Sequence, residues 1–220
     1  MVTLGAQIIS DKPQKMRSSI VWMRSLGIFD EIVAVADVDR GDEILESAKL
    51  ADKYIPMTFE HQEEAIKASI DLSTTDWMFR IDDDELMGQR FIKGVRNLVE
   101  NPTADCYWFP RMWLFKDSQH FLSGPPWYPD SQLRLFRRGS IEPASGVHVH
   151  PTVLGTSTSV NYNIFHYLLL DTNYEQRVEK CKEYARLMNF TLDMFLNGFG
   201  LFYIPEHFGN FAVDEIVEEL

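Results

Sequence analysis

Over residues 1–100 the chain alternates strand-like and helix-like stretches, and this alternation restricts the fold more than any other feature. Val2 to Ile9 is apolar and rich in β-branched residues, and Ser10-Asp11-Lys12-Pro13 follows like a helix start with Pro near the first turn. Met16, Ile20, Met23 and Leu26 then recur at helical spacing until Gly27 ends the run. Ile32 to Ala36 predicts a second strand, and Asp42 to Leu50 a helix with Ile44, Leu45 and Ala48 on one face. Tyr54 to Met57 predicts a short strand, Glu60 to Leu72 a helix, and Trp77 to Ile81 a third well-formed strand. Such alternation predicts an α/β fold with a mainly parallel sheet flanked by helices.

The third strand runs without a break into Asp82-Asp83-Asp84-Glu85. A sheet can bury Trp77, Phe79 and Ile81, but four adjacent carboxylates repel one another and need a positive partner. A hard divalent cation held by Asp82 and Asp84 meets that need, because carboxylate oxygens suit Mg²⁺ or Mn²⁺ and such ions bridge to substrate phosphates. Topology strengthens this reading. Ligands of open α/β sheets bind beyond the carboxyl ends of the strands, and Asp11, Asp37 with Asp39, and Asp82 with Asp84 all fall there.

Composition excludes several classes. A net charge of -12 argues against nucleic acid as the partner, which would require a basic face. Cys106 and Cys181 are the only cysteines and have no paired spacing, so neither a disulfide framework nor a thiolate zinc site is expected, and a reducing cytoplasm fits. No apolar run reaches the ~18 residues of a transmembrane segment, and the first residues lack the basic start of a signal peptide. Glycines are missing after strand one, which leaves a dinucleotide fold or a P-loop unsupported. The acids do not fit an EF-hand, since Met87 stands where the loop glycine belongs and Lys93 where the bidentate Glu belongs.

Three segments carry a family resemblance. Ile32-Val-Ala-Val-Ala-Asp37 with Asp42 beyond it, Trp77 to Glu85 ending in Asp-x-Asp-Glu, and Tyr128-Pro-Asp-Ser-Gln-Leu-Arg-Leu-Phe-Arg-Arg-Gly139 resemble the family 2 glycosyltransferases, in particular bacterial enzymes that build surface polysaccharides. Gly146-Val-His148, Phe165-His166-Tyr167 and a basic helix near Lys180 to Tyr184 follow in the same order. The departures are Ser10-Asp11 where the family usually has Asn-Glu, and Arg40-Gly41 before Asp42 in the nucleoside loop.

The resemblance implies a GT-A-like nucleotide-binding sheet flanked by helices, with a C-terminal acceptor-side region of strands and a long helix. It also implies one domain over 1–220, with a nucleotide-binding half (1–100) and an acceptor-binding half (101–220). The expected activity is metal-dependent, inverting transfer of a sugar from a nucleotide-diphosphate sugar, a UDP-sugar foremost, to a glycan or glycoconjugate. Asp84, with Asp82 direct or through water, would hold Mn²⁺ or Mg²⁺ against the donor diphosphate. Asp37, or Asp39 if the loop slips, would bind the nucleoside. Asp130 would be the general base, and Arg134 would pair with Asp130 or with a phosphate oxygen, ahead of Arg137 and Arg138. His148 is the first candidate to complete the metal site, then His166, then His150. The alternatives are a sugar-phosphate nucleotidyltransferase and a non-catalytic glycan-binding domain.

Smaller expectations complete the sequence reading. Trp127, in the Pro-rich loop Gly124-Pro-Pro-Trp-Tyr128, is a candidate acceptor contact. Tyr174 to Leu196 predicts one long helix, Phe190 to Phe202 a packed hairpin or short amphipathic helix, and Asp214 to Leu220 an acidic helix that stops in mid-pattern, as in one domain of a longer polypeptide.

Overall fold

The computed structural model describes residues 1–59, 62–144, 150–209 and 211–217. The first half builds β1 (Leu4–Ser10), α1 (Pro13–Leu26), β2 (Glu31–Asp37), α2 (Glu43–Ala48), β3 (Lys53–Met57), α3 (Gln62–Leu72) and β4 (Trp77–Ile81). Pro13 opens α1, and Gly27 closes it at φ 64°, donating its N–H to the Arg24 carbonyl in a left-handed cap that a β-carbon would disfavour. Strands β1 and β2 are buried at every residue because helices cover both faces of the sheet. Alternate side chains serve the two faces. Ile8, Ala34 and Phe79 pack with Met16 and Ile20 of α1 and Ile44 of α2, whereas Ile9 and Val35 pack with Ala65 and Ile66 of α3.

The second half adds β5 (Glu85–Met87), α4 (Gln89–Glu100), β6 (Cys106–Trp113), β7 (His120–Leu122), β8 (Asp130–Arg137), β9 (Ile141–Glu142), β10 (Thr152–Val153), β11 (Ser157–Ser159) and β12 (Ile164–His166). After these come α5 (Leu168–Asp171), α6 (Tyr174–Leu187), α7 (Leu192–Phe195) and β13 (Val213–Glu215). The main sheet runs β3-β2-β1-β4-β8-β6-β12-β5, with β11 beside the first residues of β6. Strands β3, β2, β1 and β4 are parallel, β8 is antiparallel to both β4 and β6, and β12 is again parallel to β6. The result is the expected α/β sheet flanked by helices, mixed rather than purely parallel, followed by a region of strands and the long helix α6.

This topology positions the chemistry. Because β1, β2 and β4 are parallel, Ser10, Asp37 and Ile81 end on one rim, and antiparallel β8 begins on that same rim at Asp130. The register then fixes neighbours. Glu85 pairs with His166, His166 with Trp113, and Arg111 with Asp130.

Two expectations about the C-terminal region need correction. The helix from Tyr174 ends at Leu187, because Asn189 turns to φ 55° and Thr191 caps a separate short helix by accepting the Met194 N–H. The acidic tail is a strand over Val213–Glu215. It pairs antiparallel with His120–Leu122 and buries Ile216 against Phe121, so cross-strand hydrogen bonds and burial outweigh helix propensity; residues 218–220 lie outside the described residues. No helix among the described residues is long and apolar enough to cross a membrane.

Candidate active site

The four acids after β4 divide into anions the fold neutralises and anions it leaves available. Glu85 is 2% exposed and Arg134, on β8, is 0% exposed. The Arg134 guanidinium donates to Glu85 Oε1 at 2.6 Å and also to Asp82 Oδ2, while Arg80 lies 3.7 Å from the other Asp82 oxygen. Burial opposes ionisation of Asp82, but Arg134 and Arg80 outweigh it and hold the carboxyl below the usual carboxylate range. Asp83 accepts from Ser10 Oγ at 2.5 Å and from Lys12 Nζ at 3.3 Å. Burial nevertheless wins there, and its pKa is raised.

Asp84 has a different setting. Its carboxylate faces His166 Nε2 at 3.3 Å, and its carbonyl accepts the Tyr167 N–H at 2.8 Å. Burial again disfavours the charge, but His166, and beyond it Lys180 and Lys12, hold Asp84 well below the usual carboxylate range. The second ring nitrogen of His166, Nδ1, is buried without a hydrogen-bond partner. The ring stands edge-on against Trp113 with centroids 4.2 Å apart.

Trp113 also reaches Asp130, donating its indole N–H to Oδ2 at 2.8 Å. Arg111 donates to the same oxygen from Nε at 2.8 Å and Nη2 at 2.6 Å, and Gln132 Nε2 donates to Oδ1 at 2.9 Å. Burial pushes the Asp130 pKa up, but Arg111 and Trp113 pull it further down, so it is an ionised carboxylate at neutral pH. Asp84, His166, Trp113, Asp130 and Arg111 therefore form one connected row across the ends of β4, β12, β6 and β8.

The sequence candidates fall as follows. Asp82, Asp84, Asp130 and Arg134 come together; Arg134 pairs with Asp82 and Glu85, and the guanidinium on Asp130 is that of Arg111. Asp37 ends β2 on the same rim, 8% exposed, with its carboxylate accepting the Asp39 N–H at 3.0 Å. His148 lies outside the described residues. His150 is exposed and stands edge-on to Trp108 at 5.4 Å. Arg137 lies over the Trp77 ring and Arg138 holds the Thr75 and Ser73 carbonyls, both at the opposite rim. The expectation for Trp127 is corrected: it is 5% exposed, donates to the Leu201 carbonyl at 3.1 Å and packs on Phe211, because the short helix over Leu201–Tyr203 and the segment at Phe211 cover the Pro-rich loop.

Sequence reasoning missed Arg111, Trp113 and Gln132. The available signal was a charged residue and an indole two apart, hence on one face, in an otherwise apolar strand. Two surface depressions lie elsewhere, one of about 840 Å³ beside Asp76 and Arg138 and one of about 400 Å³ beside Lys67 and Glu142. Neither is lined by a comparable convergence of charges, so the acid rim is the better candidate.

Asp84 and His166 are the residues here that could hold a hard divalent ion, and Nδ1 of that imidazole has no hydrogen-bond partner. Among the described residues no three or more His, Cys, Asp or Glu side chains are grouped so that they could together hold a metal ion.

No protein-family model matches the chain, and no curated protein does. Solved structures do match. S. aureus TarS 1-349 in complex with UDP-GlcNAc gives a TM-score of 0.53 at 9% identity, over 93% of this chain and 73% of that one. TarS 1-349 alone gives 0.50 at 10% identity, over 93% and 72%. A mycobacterial protein gives 0.51 at 12% identity, over 86% and 76%. At these identities the shared property is the fold, an α/β sheet flanked by helices with further strands and helices behind it.

Proposed function

We propose that this chain is a metal-dependent, inverting glycosyltransferase of family 2 and GT-A type, moving a sugar from a nucleotide-diphosphate donor, a UDP-sugar foremost, to a glycan or glycoconjugate. One observation carries the reading: Asp84 and His166 meet at 3.3 Å on the carboxyl rim, and Trp113 links them to an ionised Asp130. The fold shared with a protein solved in complex with UDP-GlcNAc supports it.

Asp37 and Asp39, at the end of β2, bind the nucleoside. Asp82 stays ionised beside Arg134 and accepts from the donor ribose, and Arg134 acts by holding Asp82 in place. Asp84 and His166 would hold Mn²⁺ or Mg²⁺, and that ion would supply Lewis-acid neutralisation of the charge on the departing diphosphate. Asp130 takes the proton of the acceptor hydroxyl as that oxygen bonds to the anomeric carbon and the bond from that carbon to the diphosphate oxygen breaks. Attack on the face opposite the leaving group inverts the centre. Oδ2 of Asp130 is occupied by Arg111 and Trp113, so Oδ1, which accepts from Gln132 alone, has the lone pair for this proton. Residues 1–100 form the donor half and 101–220 the acceptor half of one domain.

Thermal melting with UDP, GDP, CDP and dTDP, each with and without Mn²⁺, tests this on wild type and Asp84→Ala. A ligand at ~100 times its dissociation constant stabilises by ~2.7 kcal/mol. One diphosphate is expected to raise Tm only with Mn²⁺ and only when Asp84 is intact. Failure of all four would remove the nucleotide-metal reading.

A further inference from the structure

Most cations around the acid rim are already engaged. Arg134 is taken by Asp82 and Glu85, Arg111 by Asp130, Lys12 by Asp83, and Lys15 by Asp171. On α6, Arg177 is bound by Glu206 and the Tyr203 carbonyl, and Lys182 by Glu179. Lys180 is different. It is half-buried and makes no ion pair among the described residues. Its ammonium lies over the rings of Tyr184 and Tyr203, 5.6 and 5.8 Å from their centroids.

An aromatic face desolvates and orients an ammonium without neutralising it. Burial raises the Tyr203 pKa well above that of a free phenol, so the ring stays neutral and does not serve as a counter-ion. Position adds to this. Tyr203 packs edge-on to Trp113, which touches both His166 and Asp130, so Lys180 stands on the wall of the site.

The sheet order defines which part of a donor meets Lys180. Asp37 and Asp39 lie at the end of β2 and His166 at the end of β12, with β1, β4, β8 and β6 between them. A donor whose nucleoside lies over β2 and β1 extends its phosphates toward β12 and α6. We infer that Lys180 binds the distal phosphate of the nucleoside diphosphate, so that the site distinguishes diphosphates from monophosphates by a cation mounted on Tyr184 and Tyr203. This rests on the nucleotide-diphosphate reading of the rim.

Calorimetric titration in Mn²⁺ tests it, using whichever of UDP, GDP, CDP or dTDP binds wild type, with the matching monophosphate. Lys180→Gln should weaken the diphosphate about 10- to 100-fold, the size of one charge-assisted hydrogen bond, with a far smaller change for the monophosphate. Lys180→Arg should recover part of the loss. Equal binding by wild type and Lys180→Gln would overturn the assignment, as would equal weakening of diphosphate and monophosphate, which marks a structural role. If wild type binds none of the four diphosphates, the donor reading fails and the Lys180 assignment with it.

Discussion

The two rims of the sheet are both acidic, yet they use their acids in opposite ways. At the amino rim each carboxylate has its own donors. Glu31 accepts from Ser73 at 2.7 Å and from the Thr74 N–H and hydroxyl at 2.8 Å, and pairs with Lys53 at 2.6 Å. Asp30 takes two hydrogen bonds from Arg96 and the Leu4 N–H, and Asp76 takes the N–H and hydroxyl of Thr3. These acids tie strand starts to neighbouring loops and need nothing from outside. At the carboxyl rim Asp82, Asp83, Asp84, Glu85 and Asp130 share a few cations, Asp83 is driven toward neutrality, and Asp84 faces a histidine with an unpartnered nitrogen. Acids that stabilise a fold are matched one by one, whereas acids crowded beyond their protein partners mark where an external cation or substrate completes the balance.

The largest expected effect tests whether Arg134 belongs to the fold or to the donor. Arg134→Gln leaves buried Glu85 with only Arg111 at 3.4 Å and half-buried Asp82 with only Arg80 at 3.7 Å, and urea unfolding should show a loss of about 3 kcal/mol. A loss below about 1 kcal/mol would mean the two acids rely on another partner, and the contrast between rims would have to be redrawn.

The amino rim gives the next effect. Burial raises the Glu31 pKa, but Lys53, Ser73 and Thr74 more than offset this and bring it from 4.5 to about 2. A depressed carboxylate stabilises the fold above its unfolded pKa and loses that contribution as pH falls through the folded value. Glu31→Gln should therefore cost ~2–3 kcal/mol at pH 7, and the gap to wild type should close between pH 4.5 and about 2. Turnover per folded molecule should stay unchanged. A drop in kcat would make this rim part of the site.

The smallest effect is on titration. Trp113→Phe removes one donor from Asp130 and keeps an aromatic ring, so the Asp130 pKa rises. The acid limb of the kcat/KM profile should move up by about one unit. An unmoved limb with unchanged turnover would show that Asp130 is not the base.

Much of the fold was legible because its signals are local. Pro13 and Gly27 bracket α1, and Trp77–Ile81 agrees residue for residue with its apolar run. Asp82, Asp84 and Asp37 were legible as rim residues because parallel strands have a common polarity. Arg111 and Trp113 on Asp130 were not, and His166, placed second to His148 for the metal site, was not legible as the neighbour of Asp84. Each depends on pairing between strands far apart in the chain, and a shift of one residue in β6 or β12 would turn those side chains to the other face.

The sequence by itself thus determined the strand-helix order, the polarity of the sheet and the crowding of acids at one rim, since period, punctuation and charge are written residue by residue. Only the tertiary structure decided which acids are neutralised. That depends on the register that buries Arg134 between Asp82 and Glu85 and sets His166 against Asp84, because burial and distance govern the strength of an ion pair and neither exists until the chain has folded.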